Sequence, residues 1–152
     1  GIGVSKDEKK AAAWYLKAAL RGNSNAQYNL AVLNENGRGC DINYAQAYQW
    51  YRKAAAQGDG LAVGNLGMLY LRGQGVKEDK VAGLALLLLS VAMDNSPENQ
   101  AKRNISLTKG LTSETIAAAR ALSLKMTKAK NLMEPFDKYM KTTTSLADDN
   151  SK

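Results

Sequence analysis

The chain has 152 residues, 45% of them hydrophobic, and a formal net charge of +7. This length suffices for one domain with an ordinary core. The single cysteine excludes an internal disulfide, and the lack of histidine removes the commonest general base and metal ligand. No nucleophile elbow, phosphate loop or metal-ligand spacing occurs. We therefore expect no enzymatic activity, no metal site and no cofactor.

A repeat of 36 residues begins at the N-terminus. The stretch WYLKAALRG at 14–22 recurs as WYRKAAAQG at 50–58, and the loop GIGV at 1–4 recurs as GRGC at 37–40 and GQGV at 73–76. Repeats of this length are typical of helical solenoids. A helix, here called a B helix, is predicted after each residue that can accept hydrogen bonds from the first free amides. These N-cap residues are Asp7, Asn43 and Asp79.

A second set of segments, here called the A helices, alternates with the B helices. They are AQYNLAV at 26–32, AVGNLGM at 62–68 and AKRNISL at 101–107. A small residue recurs at one position of each, which predicts close packing of each A helix on its B partner. These residues are Ala31, Gly67 and Ser106. Each unit is therefore a helical hairpin.

The chain opens on a B helix without its A partner, which favours either a parent chain that is longer at the N-terminus or an oligomer contact at this helix. Trp14 and Trp50 stand in helical spacing with Ala18 and Ala54, so both tryptophans are predicted core positions. Without an A helix to pack against, part of the first B helix is nevertheless predicted to be exposed.

The third B helix contains VAGLALLLLSVAM at 81–93. This run has 13 residues against the ~20 that cross a bilayer, so it predicts a buried helix and no transmembrane segment. We expect a C-terminal capping helix, with Thr112 or Ser113 as its N-cap, to cover the third B helix. Apolar and small residues recur on one face of this helix at spacings of three and four, from Leu111 to Met133. Pro135 should stop or bend it. Residues 111–140 are thus predicted to hold the capping helices, and residues 141–152 a disordered tail.

The pattern A-x-x-N-L-G-x-x-Y-x-x-G-x-G-V, an N-cap and A-x-x-W-Y-x-K-A-A-x-x-G resembles the Sel-like repeat, a branch of the tetratricopeptide superfamily, in its bacterial form. The resemblance covers residues 1–110, about three units of which the first lacks its A helix. It implies an all-α, right-handed solenoid of antiparallel helix pairs that binds other proteins. Bacterial proteins that resemble this family include regulators, secretion-linked adaptors and immunity proteins that silence a toxic effector.

The A helices of such a solenoid line its concave face, which suits a peptide or a protein knob. Asparagine recurs there, and its amide can both donate to and accept from a bound backbone. A structural role for the asparagines within the fold is an equal alternative. The residues predicted to contact a partner are Tyr28, Asn29, Val32, Asn65, Met68, Arg103 and Asn104, with Gly64 and Leu107 beside them.

The sequence thus favours a non-catalytic protein-interaction module, an adaptor or an immunity protein that neutralises a secreted toxic effector. Its partner would be another protein, acidic or a toxin. The alternative is a basic surface that binds nucleic acid or anionic membrane lipid, which the net charge of +7 suggests. The basic residues are spread along the chain, which argues against nucleic acid. Bacterial cytoplasm and periplasm both stay open as the compartment.

Overall fold

The computed structural model describes residues 6–150, with the side chains of 147, 148 and 150 excepted. The predicted loop at 1–4 and the last two residues lie outside this range. The described part contains eight helices: α1 (Lys6–Leu20), α2 (Ser24–Asn36), α3 (Tyr44–Ala56), α4 (Gly60–Arg72), α5 (Lys80–Met93), α6 (Ala101–Leu107), α7 (Ser113–Lys128) and α8 (Met133–Asn150).

Consecutive helices pack on one another from α1 to α5, which makes the chain an all-α solenoid. The odd-numbered helices α1, α3 and α5 are the B helices, and α2, α4 and α6 are the A helices. The core follows the seam between them and includes the fully buried Tyr51, Leu66 and Leu86. Burying such large side chains provides most of the stabilisation, about 1.5–3 kcal/mol for each aliphatic one.

The loops between A and B helices repeat their geometry. Asn43 and Asp79 cap α3 and α5, as predicted, because their side chains accept hydrogen bonds from the amides three residues further on, Gln46 N and Ala82 N. The amides of the same two caps donate to Asn34 O and Tyr70 O at 2.8 and 2.9 Å. Asp7 differs from them, because it lies inside the first turn of α1. The N-cap prediction is therefore confirmed for two of its three residues.

Glycine in these loops permits both a left-handed backbone and a close approach. Gly39 and Gly75 each have φ of 75°. A Cβ atom on Gly75 would lie 2.6 Å from Tyr44 O, and one on Gly39 would overlap Glu8 O. Each loop therefore lies against the start of the preceding B helix, and this contact fixes the spacing between neighbouring hairpins.

Small residues bring α4 and α5 together at the predicted position. A Cβ atom on Gly67 would lie 2.8 Å from Gly83 O, and Ala31 is fully buried in the preceding hairpin. Ser106, the third residue of this set, is exposed. The prediction is wrong there because α6 has only seven residues and ends at Leu107, so it lacks the length over which α2 and α4 pack.

The two tryptophans differ in their surroundings. Trp50 is 9% exposed, as predicted, whereas Trp14 is 71% exposed, so its prediction as a core residue is wrong. Helix α1 packs on α2, but its Trp14 and Leu20 stay largely exposed. The reduced cover predicted for this helix is confirmed.

Helix α7 covers the apolar α5, and Thr112 begins it by accepting a hydrogen bond from Thr115 N at 3.1 Å. Its buried residues include Ala119, Leu122 and Met126. The predicted stripe to Met133 is too long, because α7 ends at Lys128 and Met133 begins the next helix.

Helix α8 overturns two expectations. Pro135 neither stops nor bends a helix, because it is the third residue of α8. The N–H groups in the first turn of a helix have no acceptor within the helix, so the N–H that proline lacks costs α8 no hydrogen bond. Residues 141–150, predicted as part of a disordered tail, continue α8 to Asn150. Phe136 anchors the start of this helix in the core with no exposed surface, and the polar residues extend it from there.

Candidate partner-binding cleft

A cleft of ≈ 400 Å³ opens between the A helices α2, α4 and α6. Residues at helical spacing bring one face of each helix to it: Asn65, Met68 and Arg72 on α4, and Arg103, Asn104 and Leu107 on α6. Glu35 of α2 and Gln100, the N-cap position of α6, complete the lining. The structure thus brings together Asn65, Met68, Arg103, Asn104 and Leu107 from the predicted set.

The three predicted residues of α2 do not line this cleft. Tyr28 is half-buried with its ring 5.9 Å from that of Tyr51, and Val32 packs partly buried against the core. The Asn29 amide donates to Asn25 O, one turn back in its own helix, at 2.9 Å. Gly64 is buried, and a Cβ atom there would lie 2.7 Å from Ser90 Oγ.

A polar network forms the floor of the cleft and joins three helices. The Tyr51 hydroxyl of α3 donates to Glu35 Oε2 at 2.6 Å and accepts from Asn65 Nδ2 at 3.1 Å. Burial raises the pKa of the Tyr51 phenol, and the Glu35 carboxylate raises it further. Burial also raises the pKa of Tyr28, although a hydrogen bond with Asn65 opposes the shift. The network holds Glu35 and Asn65 in fixed positions at the cleft surface.

Asn29, Asn65 and Asn104, here called the asparagine row, therefore have three different environments. Asn65 bonds to Tyr51, and Asn29 bonds to its own helix. The side-chain amide of Asn104 makes no hydrogen bond to the part of the chain that the structure describes, although its backbone carbonyl accepts from Thr108 Oγ1. Asn104 thus offers an unused donor and acceptor in the cleft, whereas Asn65 supports the fold.

The cleft is weakly basic. Arg72 and Arg103 are exposed at its edges, while the one carboxylate in the lining, Glu35, accepts the Tyr51 hydrogen bond. Leu107 is 63% exposed and adds an apolar surface beside Met68. A bound chain segment would therefore meet two cations, amide groups and two apolar side chains. These groups can form ion pairs, hydrogen bonds and apolar contacts of the kinds found in protein interfaces.

Three cleft residues were not predicted: Glu35, Arg72 and Gln100. Arg72 stands four residues after Met68, so helical spacing from a residue already identified would have found it. Gln100 precedes Arg103 by three residues and could have been found in the same way. Glu35 carries no such signal, because its place depends on a hydrogen bond to Tyr51 from another helix.

Within the described range, no group of three or more cysteine, aspartate and glutamate side chains could hold a metal ion. None of the helices over the same residues is long and apolar enough to span a bilayer.

The Sel1 repeat family model matches residues 1–23, 24–59 and 61–95. The chain belongs to the Sel1 repeat family, whose members are in general non-catalytic protein-interaction scaffolds. The two hairpins α2–α3 and α4–α5 coincide with the last two matched units, and the first unit contains α1 alone. A search of the curated proteins found no match.

Two solved structures are similar to this chain. One is c5321, described as a protective antigen present in uropathogenic Escherichia coli strains and displaying an SLR fold. It is 34% identical with a TM-score of 0.74, over 92% of this chain and 30% of that one. The other is a Sel1 repeat protein from Oxalobacter formigenes, 34% identical with a TM-score of 0.58, over 65% of this chain and 38% of that one. The chain thus spans about a third of their length.

Proposed function

We propose that the chain is a non-catalytic protein-interaction module that holds a segment of a partner protein in the cleft between α2, α4 and α6. The observation that carries this proposal is the convergence of Arg103, Asn104 and Leu107 with Met68 and Arg72 at one concave surface. Cations, an unpaired amide, the exposed Leu107 and the half-buried Met68 provide the mixed contacts that protein interfaces use.

The finer role is an adaptor or an immunity protein that neutralises a secreted toxic effector. Both roles require tight binding to the surface of a partner protein. The two arginines of the cleft and the net charge of +7 favour an acidic partner segment, since opposite charge raises the rate of encounter. Tyr28, Asn29 and Val32 then act by supporting the α2 side of the cleft.

The test is affinity capture from a bacterial lysate with a matched pair of variants. Arg103 and Lys102 are neighbouring exposed cations on α6, but only Arg103 lines the cleft. We expect Arg103→Glu to lose the protein that the wild type captures and Lys102→Glu to retain it. Co-expression with that protein then separates the roles, because an immunity protein restores growth that its partner inhibits.

Two outcomes would count against the proposal. Equal capture by both variants would move the binding surface away from the cleft. Capture of nucleic acid or anionic lipid alone, lost steeply as salt rises, would favour the alternative of a basic surface binder.

A further inference from the structure

A groove lies between α7 and α8, at the end of the solenoid remote from α1. It encloses ≈ 780 Å³, and its floor is built from Ala118, Ala121 and Leu122 of α7 with Pro135 and Tyr139 of α8. None of these residues lines the cleft between the A helices, so the two surfaces are separate.

The walls of the α7–α8 groove are held in place by contacts to the solenoid. The Tyr139 hydroxyl lies 3.1 Å from each carboxylate oxygen of Asp79, the N-cap of α5. Arg52 pairs with Asp137, and Phe136 stacks edge-on against Tyr70 at 5.4 Å. A groove whose walls are fixed before binding costs less entropy to occupy.

The floor of the groove fits an incoming helix. Ala118 and Ala121 are exposed on α7, and their small side chains let another helix approach closely. A helix that lays its apolar side chains into an apolar groove is a recurrent mode of recognition.

The edge of the groove selects the charge of that helix. Lys125, Lys130 and Lys138 are exposed around it, against one carboxylate, Glu134. An occupant with acidic residues beside its apolar face would meet three ammonium groups.

Helix α1, which has the most exposed large apolar side chains of the described chain, does not meet that requirement in a second copy. These side chains are Trp14 and Leu20. They stand next to Lys17 and Arg21. Docking α1 into the groove would place cations against cations, which disfavours the contact.

From the apolar floor, the fixed walls and the three lysines, we propose that the α7–α8 groove is a second docking site, and that it takes an acidic amphipathic helix of a partner protein. The probe for the test is a helix-stapled peptide with leucines at alternating spacings of three and four residues and glutamates beside them. A counterpart with lysines in place of the glutamates keeps the same apolar face.

The matched variants each change one lysine or arginine to glutamate on α7 and one on α8. The groove variant is Lys125→Glu/Lys138→Glu, and the control is Arg120→Glu/Lys141→Glu, whose residues are exposed on the same helices but do not line the groove. We expect the groove variant to bind the acidic peptide about tenfold more weakly and the control to bind within about twofold of wild type. Arg103→Glu, which alters the other cleft alone, should leave the affinity unchanged.

Chemical-shift mapping of the wild-type chain with the acidic peptide gives a second measurement that needs no variant. Amide shifts should concentrate on α7 and α8. Four results would overturn the proposal: no binding, equal binding of the lysine counterpart, equal loss in both double variants, or shifts confined to α2, α4 and α6. Binding of phosphatidylserine vesicles in preference to the peptide, lost in the groove variant, would also overturn it and assign the groove to a membrane surface.

Discussion

Arg52 on α3 and Asp137 on α8, 85 residues apart in the chain, form a two-point ion pair. The Nη2 atom of Arg52 lies 2.7 and 2.6 Å from the two carboxylate oxygens of Asp137. Both side chains are partly exposed, at 30% and 44%. The pair joins the C-terminal helix to the second repeat and so fixes one wall of the α7–α8 groove.

We expect a double-mutant cycle of Arg52→Met and Asp137→Asn to give a coupling free energy of about 1 kcal/mol, since solvent screens a pair this exposed. The measurement is urea-induced unfolding at low salt and again at about 1 M salt, where the coupling should shrink. A coupling indistinguishable from zero at low salt would show that Phe136 and Tyr139 hold α8 without the ion pair.

The loop glycines provide a second prediction. Gly75→Ala should lower the free energy of unfolding by about 3 kcal/mol, because the residue combines a positive φ with the close approach to Tyr44 O. Gly58→Ala should cost only about 1 kcal/mol, since φ is 95° but a Cβ atom would meet nothing within 4 Å. Denaturant unfolding compares the two variants, and equal losses would contradict the close contact between the loop and α3.

The asparagine row provides a third prediction. Asn65→Ala should destabilise the chain by about 1 kcal/mol, because the buried Tyr51 hydroxyl loses a donor. Asn104→Ala should change stability by less than about 0.5 kcal/mol, since its side chain bonds to nothing in the described structure. Thermal unfolding checks both. If Asn104→Ala proves as destabilising as Asn65→Ala, the amide serves the fold and is not available to a partner.

Alkaline unfolding provides a fourth prediction. Burial raises the pKa of Tyr51, Tyr70 and Tyr139 above their ordinary value of 10.0, with further increases from Glu35, Tyr48 and Asp79 respectively. The unfolded chain therefore releases these protons at lower pH than the folded chain does. The stability that they contribute is fully present below pH 10 and is lost as pH rises above it.

The measurement for this prediction is the free energy of unfolding over a series of pH values, with the ultraviolet absorbance of tyrosinate followed in parallel. Unfolding and ionisation of the buried tyrosines should coincide above pH 10. Ionisation of all seven tyrosines near pH 10 in a chain that stays folded would contradict the buried environments.

Much of the repeat could be predicted from the sequence because its determinants are local. Asn43 and Asp79 bond to amides three residues away, and the glycines that end α2 and α4 need only a left-handed backbone. The apolar third B helix likewise indicated that another element must cover it. Each of these features depends on residues within a few positions of it in the sequence.

The C-terminal region was harder to predict because long-range contacts determine it. Arg52 and Asp79 bond to residues of α8 that lie 85 and 60 positions further along the chain. The segment after Met140 has no apolar period, so nothing local indicated that α8 would continue to Asn150. The same limit applies to the cleft, where Glu35 is held by a tyrosine from another helix.

The most direct test of the central claim is photo-crosslinking to the captured partner. A photoreactive amino acid replaces Met68 or Leu107 in the cleft, or Gln49, which is exposed on α3 outside it. The account predicts crosslinks from positions 68 and 107, none from position 49, and loss of both crosslinks in Arg103→Glu. Crosslinking from position 49 alone, or crosslinks that survive Arg103→Glu unchanged, would contradict it.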